Sequence, residues 1–590
     1  MKGHTSSNKN DLSDPASGGN INFEKWLHDA PLEVISPRSL PIQGTIPSYV
    51  HGSLIRNGPA QWTTNGNDET AAAGSSKPNQ RYAHAFDGLA KLTRYEISGS
   101  VTGEQKEEEQ QKVLFSTKFI DSKYRDAVIN KGEFLEGIRT GPRMNNDLTQ
   151  ILDFSLLKSL WNSISFDNAP VNVWDFGQGR TKSDDTIDNH HPNVYAITDA
   201  PTRAHIDPTS LDTKKSARPP SMARNAGGYE LFATAHPEYC KCGSGDTYNV
   251  VVELNPIMGN RVSIVKEYPK EGSDNDGTMS RKIVASCTVP VNARGIPYSH
   301  SFGLTETKAM VILQPLRLNL KNLSELLTKG FLSTMEDEES TRVIVFDIQS
   351  GETLANVELD EPIYFYHSIS CAESDQDSSI SMKICGYQVP DFFTGKDQFF
   401  RFDRAQSAEG RNRIHRGGKI CDVNVNLNDG KAEVKWTDVT VKRKDQKVVK
   451  QGFELPTTRY SRWSTNNNND EYCPLPWKNG RHPKFAYAFG SHALGCDSYD
   501  AWTLLKINLD DGEATPLRER HSCYYSEPIF VANPKGKEED DGILLCQRYD
   551  GVTDQTSLLV IDAKEMSVLA EADAGMRNAM DFHGVFIPSK

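Results

Sequence analysis

The sequence predicts an all-β molecule, a β-propeller, on three observations. Paired β-prone runs joined by a turn recur along the chain with little helix between them, as propeller blades require. Those runs number about 28, enough for about seven four-stranded blades. Four histidines sit on such runs far apart in the chain, which suits separate elements converging on one axis.

Taken in order, residues 1–30, which start M-K-G-H-T-S-S-N-K-N-D-L-S, are polar and lack the apolar core of a signal peptide. A disordered tail is expected there, followed by a single domain over 31–590. R-N-G-P (56–59) and H-A-F-D-G (84–88) read as architecture: Gly58 and Gly88 permit tight turns, Pro59 fixes one, and Asp87 bonds local N–H groups. His84 is therefore not put forward as a ligand.

The repeated hairpin unit is an apolar run carrying Asp, Asn or Glu, then a turn, then a second apolar run. Its clearest copies are 343–359 (V-I-V-F-D-I-Q-S-G-E-T-L-A-N-V-E-L), 503–517 and 558–572, with weaker copies at 195–211 and 250–265. Two stretches rich in Asn, Gly, Ser and Pro, Thr63 to Gln80 and Ser464 to Lys484, read as mobile surface loops without chemistry. Two others have helical spacing: Leu148, Ile151, Leu152, Leu156 and Leu160 within Asp147 to Trp161, and Leu316, Leu320, Leu323, Leu327 and Phe331. Such helices cap a core, and touch a membrane only if the ligand is lipid-soluble. The final D-F-H-G-V-F-I-P-S-K reads as a buried strand that delivers His583 to the interior.

Composition removes several function classes. A hydrophobic fraction of 37% and a mean hydropathy of -0.57 suit a soluble protein, and no apolar run approaches the ~20 residues that span a bilayer. A net charge of -13 argues against nucleic acid, which needs a basic field. Lys442, Arg443 and Lys444 read as a solvated hairpin. The 10 cysteines follow no disulfide or zinc-finger spacing, with Cys240-Lys241-Cys242 standing alone, so reduced, mostly buried thiols and a cytoplasmic location are expected.

His236 in F-A-T-A-H-P, His300 in P-Y-S-H-S-F, His367 in I-Y-F-Y-H-S-I and His583 share one local grammar, each flanked by small or aromatic residues. A single histidine is more often a satisfied core or surface residue, as His190, His191, His415 and His521 in polar stretches illustrate. Four on inward-pointing strands make a metal site the sharper reading. Neutral imidazoles suit Zn, Cu or Fe rather than Mg or Ca. A closed zinc tetrahedron and an octahedral iron with places left for dioxygen both fit four such ligands.

An ordered set of segments then carries a resemblance: G-S-L-I-R-N-G-P (52–59), H-A-F-D-G-L-A (84–90), V-Y-A-I-T-D (194–199), T-A-H-P (234–237), Y-S-H-S-F-G-L-T-E (298–306), Q-P-L-R-L (314–318), F-E-L-P (453–456), S-E-P-I-F-V (526–531), E-D-D-G-I-L-L (539–545) and D-F-H-G-V-F (581–586). The chain resembles the carotenoid cleavage oxygenases, in particular the animal-type branch of β-carotene oxygenases and the retinoid isomerohydrolase. The resemblance implies a seven-bladed propeller with a helical and loop cap, here insertions at about 141–165 and 314–335. It implies one Fe(II) per chain on His236, His300, His367 and His583, with O2 as co-substrate. It places Glu454, Glu527 and Asp199 behind the ligands, each accepting the far N–H of an imidazole.

Asp199 stands where the family has Glu, and its side chain is one methylene shorter. It must draw its backbone inward or reach through water, so a less firmly held ligand is expected. The resemblance further puts Thr198 at the oxygen site as a catalytic residue; Phe392, Phe393, Phe399 and Phe400 read as tunnel or cap residues, with ordinary core packing the favoured role for most of them. The reaction it implies is cleavage of a conjugated C=C of a carotenoid or apocarotenoid into two carbonyls, as in β-carotene to retinal. The partners are a lipophilic polyene and a membrane surface met by the two amphipathic stretches, which adds peripheral membrane association to the cytoplasmic location. No nucleic acid and no obligate protein partner are expected. Alternatives are a stilbene-cleaving enzyme, a metal-free carotenoid-binding propeller, and an isomerohydrolase, whose P-D-P-C-K segment is here G-P-R-M-N-N-D-L (141–148).

Overall fold

Seven sheets, antiparallel except for the pairing of Thr440–Lys442 with Glu513–Pro516 and set side by side as blades, form the protein in a computed structural model that describes residues 22–64, 81–100, 111–131, 167–177, 192–217, 229–241, 246–254, 259–269, 279–289, 295–318, 335–337, 340–390, 393, 401–402, 417–442, 448–461, 480–491, 503–517, 522–578 and 580–589. Blade 1 runs Val34–Ser39, Lys112–Phe119, Leu89–Ser98, His51–Gln61 and, last in the sheet, the C-terminal strand His583–Pro588. Blade 2 holds the strands from Asn172–Asp175 to Thr213–Ala217, blade 3 those from Tyr229–Ala233 to Met279–Val289, and blade 4 those from Gly303–Leu304 to Thr353–Leu359. Blade 5 runs from Tyr364–Ser374 to Ala432–Thr437, blade 6 is built on Gly452–Thr457 and Phe485–Ser491, and blade 7 on Ile529–Ala532 and Gly542–Asp550. The sequence prediction of a seven-bladed all-β propeller holds. A further three-stranded sheet, Ile296–Pro297, Leu316–Leu318 and Met335–Asp337, lies outside the blades.

Both ends of the chain close the ring. The C-terminal strand pairs with His51–Gln61 in the register Asn57↔His583, and Ile42–Gly44 adds to blade 7 through Ile42↔Ala572. Period-2 geometry explains how one strand serves two neighbours. In Lys308–Leu313 of blade 4, Ala309, Val311 and Leu313 join a cluster with Val250, Val252 and Val262 of blade 3, whereas Met310 and Ile312 join Phe365, Ile380 and Met382 of blade 5. A strand buried on both faces must be apolar throughout, which is why K-A-M-V-I-L shows no alternation. The outer strand Thr353–Leu359 has one buried face and does alternate.

Five expectations need correction. Residues 22–30, assigned to the tail, include the helix Phe23–Trp26, whose rings pack on Tyr524 and Tyr549 with centroids 5.2–6.2 Å apart. R-N-G-P is no turn: His51–Gln61 is continuous through it, with a register slip after Pro59. Gly58 is required there because a Cβ would lie 2.3 Å from the Met580 carbonyl oxygen, so a bulkier residue would push the strand away from the chain that leads to His583. Leu316 lies in a strand, because Leu316–Leu318 pairs on both sides, whereas Leu320 to Phe331 lie outside the described residues. Cys240, counted among the reduced thiols, is disulfide-bonded, whereas Cys287, Cys371, Cys385, Cys421 and Cys546 are free thiols. Finally, the polar stretch Ser464 to Lys484 ends in a fixed segment in which His482 is held between the hydroxyls of Ser370 and Ser381 at 2.7 and 2.6 Å. Burial, with Lys383 nearby, lowers the His482 imidazole to about 4, so it serves as a neutral cross-brace.

The amphipathic stretch Asp147 to Trp161 also lies outside the described residues, as do Phe392, Phe399 and Phe400. No helix among the described residues is long and apolar enough to cross a membrane.

Candidate metal centre

Four strands of four blades deliver the four histidines. His236 follows the inner strand of blade 3, His300 precedes that of blade 4, and His583 opens the closing strand of blade 1. His367 lies inside Tyr364–Ser374, where the pairing register slips between Phe365 and Ser368. Such a bulge rotates a side chain out of strict alternation and here turns the imidazole to the axis. One ring nitrogen from each histidine lies within 4.8 Å of all the others, and the Nε2 atoms of His236 and His300 are 3.0 Å apart.

Three of the rings are held from behind by carboxylates. Nδ1 of His367 is 2.7 Å from Glu454 Oε2, Nδ1 of His583 is 3.1 Å from Glu527 Oε1, and Nδ1 of His300 is 2.8 Å from Asp199 Oδ2. A carboxylate accepts only, so each Nδ1 carries the proton and each Nε2 presents its lone pair inward. Glu454 is aimed by an unusual backbone: the next residue, Leu455, has a φ of 50°, and the pairing of Gly452–Thr457 slips after Glu454. Asp199 reaches His300 directly, without water. Its carbonyl accepts from Ala233 N at 3.0 Å, which ties this segment to blade 3. Asp199 Oδ1 also accepts from Ala235 N at 3.1 Å, one residue before His236. The main chain before His236 is anchored as well, since Asn172 Nδ2 donates to Ala235 O at 2.7 Å.

The group fits a metal on its own geometry. Adjacent nitrogens on an ion at about 2.1 Å stand about 3.0–3.4 Å apart, the range in which His236 and His300 are found. His367 Nε2 is buried and has no hydrogen-bond partner, which for an inward-facing lone pair is a vacancy a cation would fill. Neutral imidazole donors select a transition metal over Mg or Ca.

Aromatic and polar groups both surround the centre. The residues preceding two of the histidines are aromatic: Tyr366 packs on Phe393 with centroids 4.3 Å apart, and Phe582 on Phe86 at 4.9 Å. Phe393, expected in a tunnel or cap, is fully buried in that group. The segments that follow three of the histidines line a cleft of about 70 Å³ that includes Glu238, Lys241, Ser368, Ser370 and Thr458. Thr198 follows the strand Val194–Ile197, half-buried next to Asp199, and makes no hydrogen bond among the described residues.

Sequence reasoning missed the layer behind the carboxylates. Arg56, read only as part of a structural motif, is completely buried; it donates to Asp581 and, at 2.9 and 3.3 Å, to the carbonyls of Glu527 and Phe582. Burial works against its charge, but Asp581 and Glu527 more than offset this and hold the guanidinium above its usual range. Tyr387 donates to Glu454, and Tyr298 to Asp199 at 2.8 Å. Burial and the Asp199 charge keep the Tyr298 phenol well above its usual range, hence protonated and able to donate. The available signal was an arginine inside an apolar strand, G-S-L-I-R-N-G-P, since a buried charge has to find partners.

Comparison with known proteins gives one consistent answer. Residues 28–588 match the family described as RPE65, retinal pigment epithelial membrane protein. A carotenoid isomerooxygenase of Galleria mellonella is 25% identical over 587 residues, covering 96% of each chain. A beta,beta-carotene 15,15'-dioxygenase of Rattus norvegicus is 24% identical across 94% of this chain and 90% of its own. Among solved structures, a glutamate-to-aspartate mutant of the Synechocystis apocarotenoid oxygenase superposes with a TM-score of 0.68 at 16% identity, covering 98% of this chain and 100% of its own. A cobalt-substituted form of the Synechocystis protein gives 0.67 at 17% identity, covering 96% and 99%. At those identities the likeness is one of fold.

Proposed function

Because the chain belongs to the retinal pigment epithelial membrane protein (RPE65) family of carotenoid oxygenases, we propose that it is an iron-dependent dioxygenase that splits one conjugated C=C of a carotenoid or apocarotenoid. Both atoms of O2 end in the products, one on each carbon, so two carbonyl compounds form with no further oxidant. Conversion of β-carotene to retinal is the candidate reaction. The observation that carries this reading is the convergence of four imidazole nitrogens within 4.8 Å of one another.

His236, His300, His367 and His583 would hold one Fe(II) per chain. When bound, the iron would supply the electrons that let O2 react with the polyene. Asp199, Glu454 and Glu527 accept the Nδ1 protons and keep each ring plane fixed. Tyr366, Phe393 and Phe582 keep water from the side by which an apolar chain would enter, and orient it. Thr198, next to Asp199, would face the oxygen. A polyene insoluble in water has to be taken from a lipid surface, and the stretch 147–161 is the docking segment we propose.

The purified protein is expected to carry about one iron per chain, as one four-nitrogen site would hold, and to consume O2 with β-carotene while releasing aldehydes identifiable by mass spectrometry. Iron-free protein that releases no aldehyde from any polyene after Fe(II) loading would return the chain to a binding scaffold. The Galleria relative is named an isomerooxygenase, so the double-bond geometry of the aldehydes is recorded in the same assay. Replacing Leu156, Leu157, Leu160 and Trp161 with serine should move the protein from liposomes to the supernatant in flotation; unchanged flotation would remove that docking role.

A further inference from the structure

The three carboxylates behind the histidines are not held alike. Glu454 meets His367 with Oε2 while Tyr387 donates to the other oxygen, Oε1. Glu527 meets His583 and lies 3.7 Å from the guanidinium of Arg56. At Asp199 the arrangement differs: Oδ2 is 2.8 Å from His300 Nδ1 and 2.8 Å from the Tyr298 hydroxyl, and that hydroxyl is itself 2.9 Å from the same Nδ1. The three atoms make a nearly equilateral triangle with two protons in it. The phenol proton goes to Oδ2, and the imidazole N–H is shared between Oδ2 and the phenol oxygen.

Asp199 has the heavier task and the weaker shelter. Its Oδ1 is committed to Ala235 N, so one short side chain positions the segments before two histidines. Its side chain is 25% exposed, against 5% for Glu454 and 6% for Glu527, so water competes for it as it does not for the others. Tyr298 is 2% exposed, and Phe232 packs edge-on against its ring at 5.8 Å, which fixes the hydroxyl in place.

We propose that Tyr298 is a positioning residue, whose hydroxyl shelters the exposed Asp199 carboxylate and gives the His300 ring a second contact, so that the short carboxylate keeps its hold on the ring. The proposal rests on the metal reading above and concerns only the firmness of one ligand. Metal binding, rather than turnover, is therefore the readout. Full-length apo-protein is titrated with Co(II) and followed by its visible absorption, for the wild type, Tyr298→Phe, Asp199→Glu and the double variant.

Tyr298→Phe should weaken Co(II) binding by about 10- to 100-fold, the range for partners of a metal-binding histidine. The same change in the Asp199→Glu background should cost much less, because the longer and more adaptable side chain depends less on the phenol to stay on the ring. Equal losses in both backgrounds, or no loss in Tyr298→Phe, would overturn the proposal. Phe keeps the ring that packs on Phe232, and melting of the metal-free variants separates a folding defect from a lost contact. If Tyr298→Phe does not fold, Asp199→Glu alone decides: tighter Co(II) binding than wild type supports the proposal and weaker binding overturns it. A wild type that binds no Co(II) would instead sink the metal reading.

Discussion

At the scale of the residue, a buried cation does more for the centre than the motif containing it suggests. Arg56 reaches the main chain on both sides of the closing pair, at Glu527 O and Phe582 O, and neutralises Asp581, which has no other described cation within reach. Deleting one member of a buried pair strands the other, which typically costs about 3–5 kcal/mol, whereas replacing both with apolar groups is often neutral. Arg56→Met should therefore lower the melting temperature of the metal-free protein sharply, and Arg56→Met with Asp581→Leu should recover most of the loss. A double variant that melts no higher than the single would mean that Arg56 acts through its hydrogen bonds to the carbonyls rather than through charge. Little of this was legible beforehand. Types and neighbours picked out His236, His300, His367 and His583, and the family pattern supplied Asp199, Glu454 and Glu527. The residues that hold those carboxylates are a tyrosine or an arginine in an apolar strand, and only the third dimension reveals which carboxylate each one meets.

At the scale of the element, six hairpins share one turn, and its signature is partly written in the sequence. In each, an Asp or Asn at the first position accepts from the amide two residues on, and its carbonyl accepts from a residue of positive φ four residues on: Asp207 and Leu211, Asp347 and Gly351, Asn426 and Gly430, Asn508 and Gly512, Asp550 and Asp554, Asp562 and Met566. This is a type I turn closed by a left-handed residue, a natural four-residue hairpin link. Three copies place Gly at the left-handed position and could be read directly, as in D-I-Q-S-G (347–351). Three place Leu, Asp or Met there, whose side chains are kept for burial or pairing, and so they escape a search for glycine. Asp347→Ala should cost about 1 kcal/mol, the usual value of such a side-chain cap. Asp347→Asn should cost far less. Against a desolvation cost, the amides of Ser350 and Gln349 hold the Asp347 carboxyl below the usual range. Its contribution is therefore complete above the unfolded value of about 3.9 and fades as pH falls through the lower folded value. The loss at Asn426→Ala, whose amide does not titrate, should stay constant with pH. Melting curves for the two alanine variants between neutral and acid pH compare them, and parallel behaviour would refute the carboxylate's part in the turn.

At the scale of the molecule, every blade contributes one group to the centre. Blades 3, 4, 5 and 1 give the histidines, and blades 2, 6 and 7 give Asp199, Glu454 and Glu527. Blade count and hairpin repeats were readable because a propeller repeats its unit; the closure was not, because pairing Asn57 with His583 joins residues that no local pattern relates. A ligand set spread in this way makes ion binding report on the assembled ring. An ion that binds only the folded state stabilises it by RT ln(1 + [L]/Kd), about 2.7 kcal/mol at a hundred times Kd. Added Co(II) should raise the melting temperature of the apo-protein by about 2 °C, since an unfolding entropy of about 2.1 cal/mol/K per residue makes each kcal/mol worth a little under 1 °C in a chain of 590 residues. The shift should vanish in His583→Ala and in His300→Ala, one on the closing strand and one on the opposite side of the chain's order. The Glu527→Gln variant should keep a reduced shift, because the ligand remains but its ring is no longer oriented by an acceptor on both oxygens. If the two histidine variants kept the full Co(II) shift, the ion would be stabilising some other part of the protein. Seven blades joined at one centre would then be a description of shape alone.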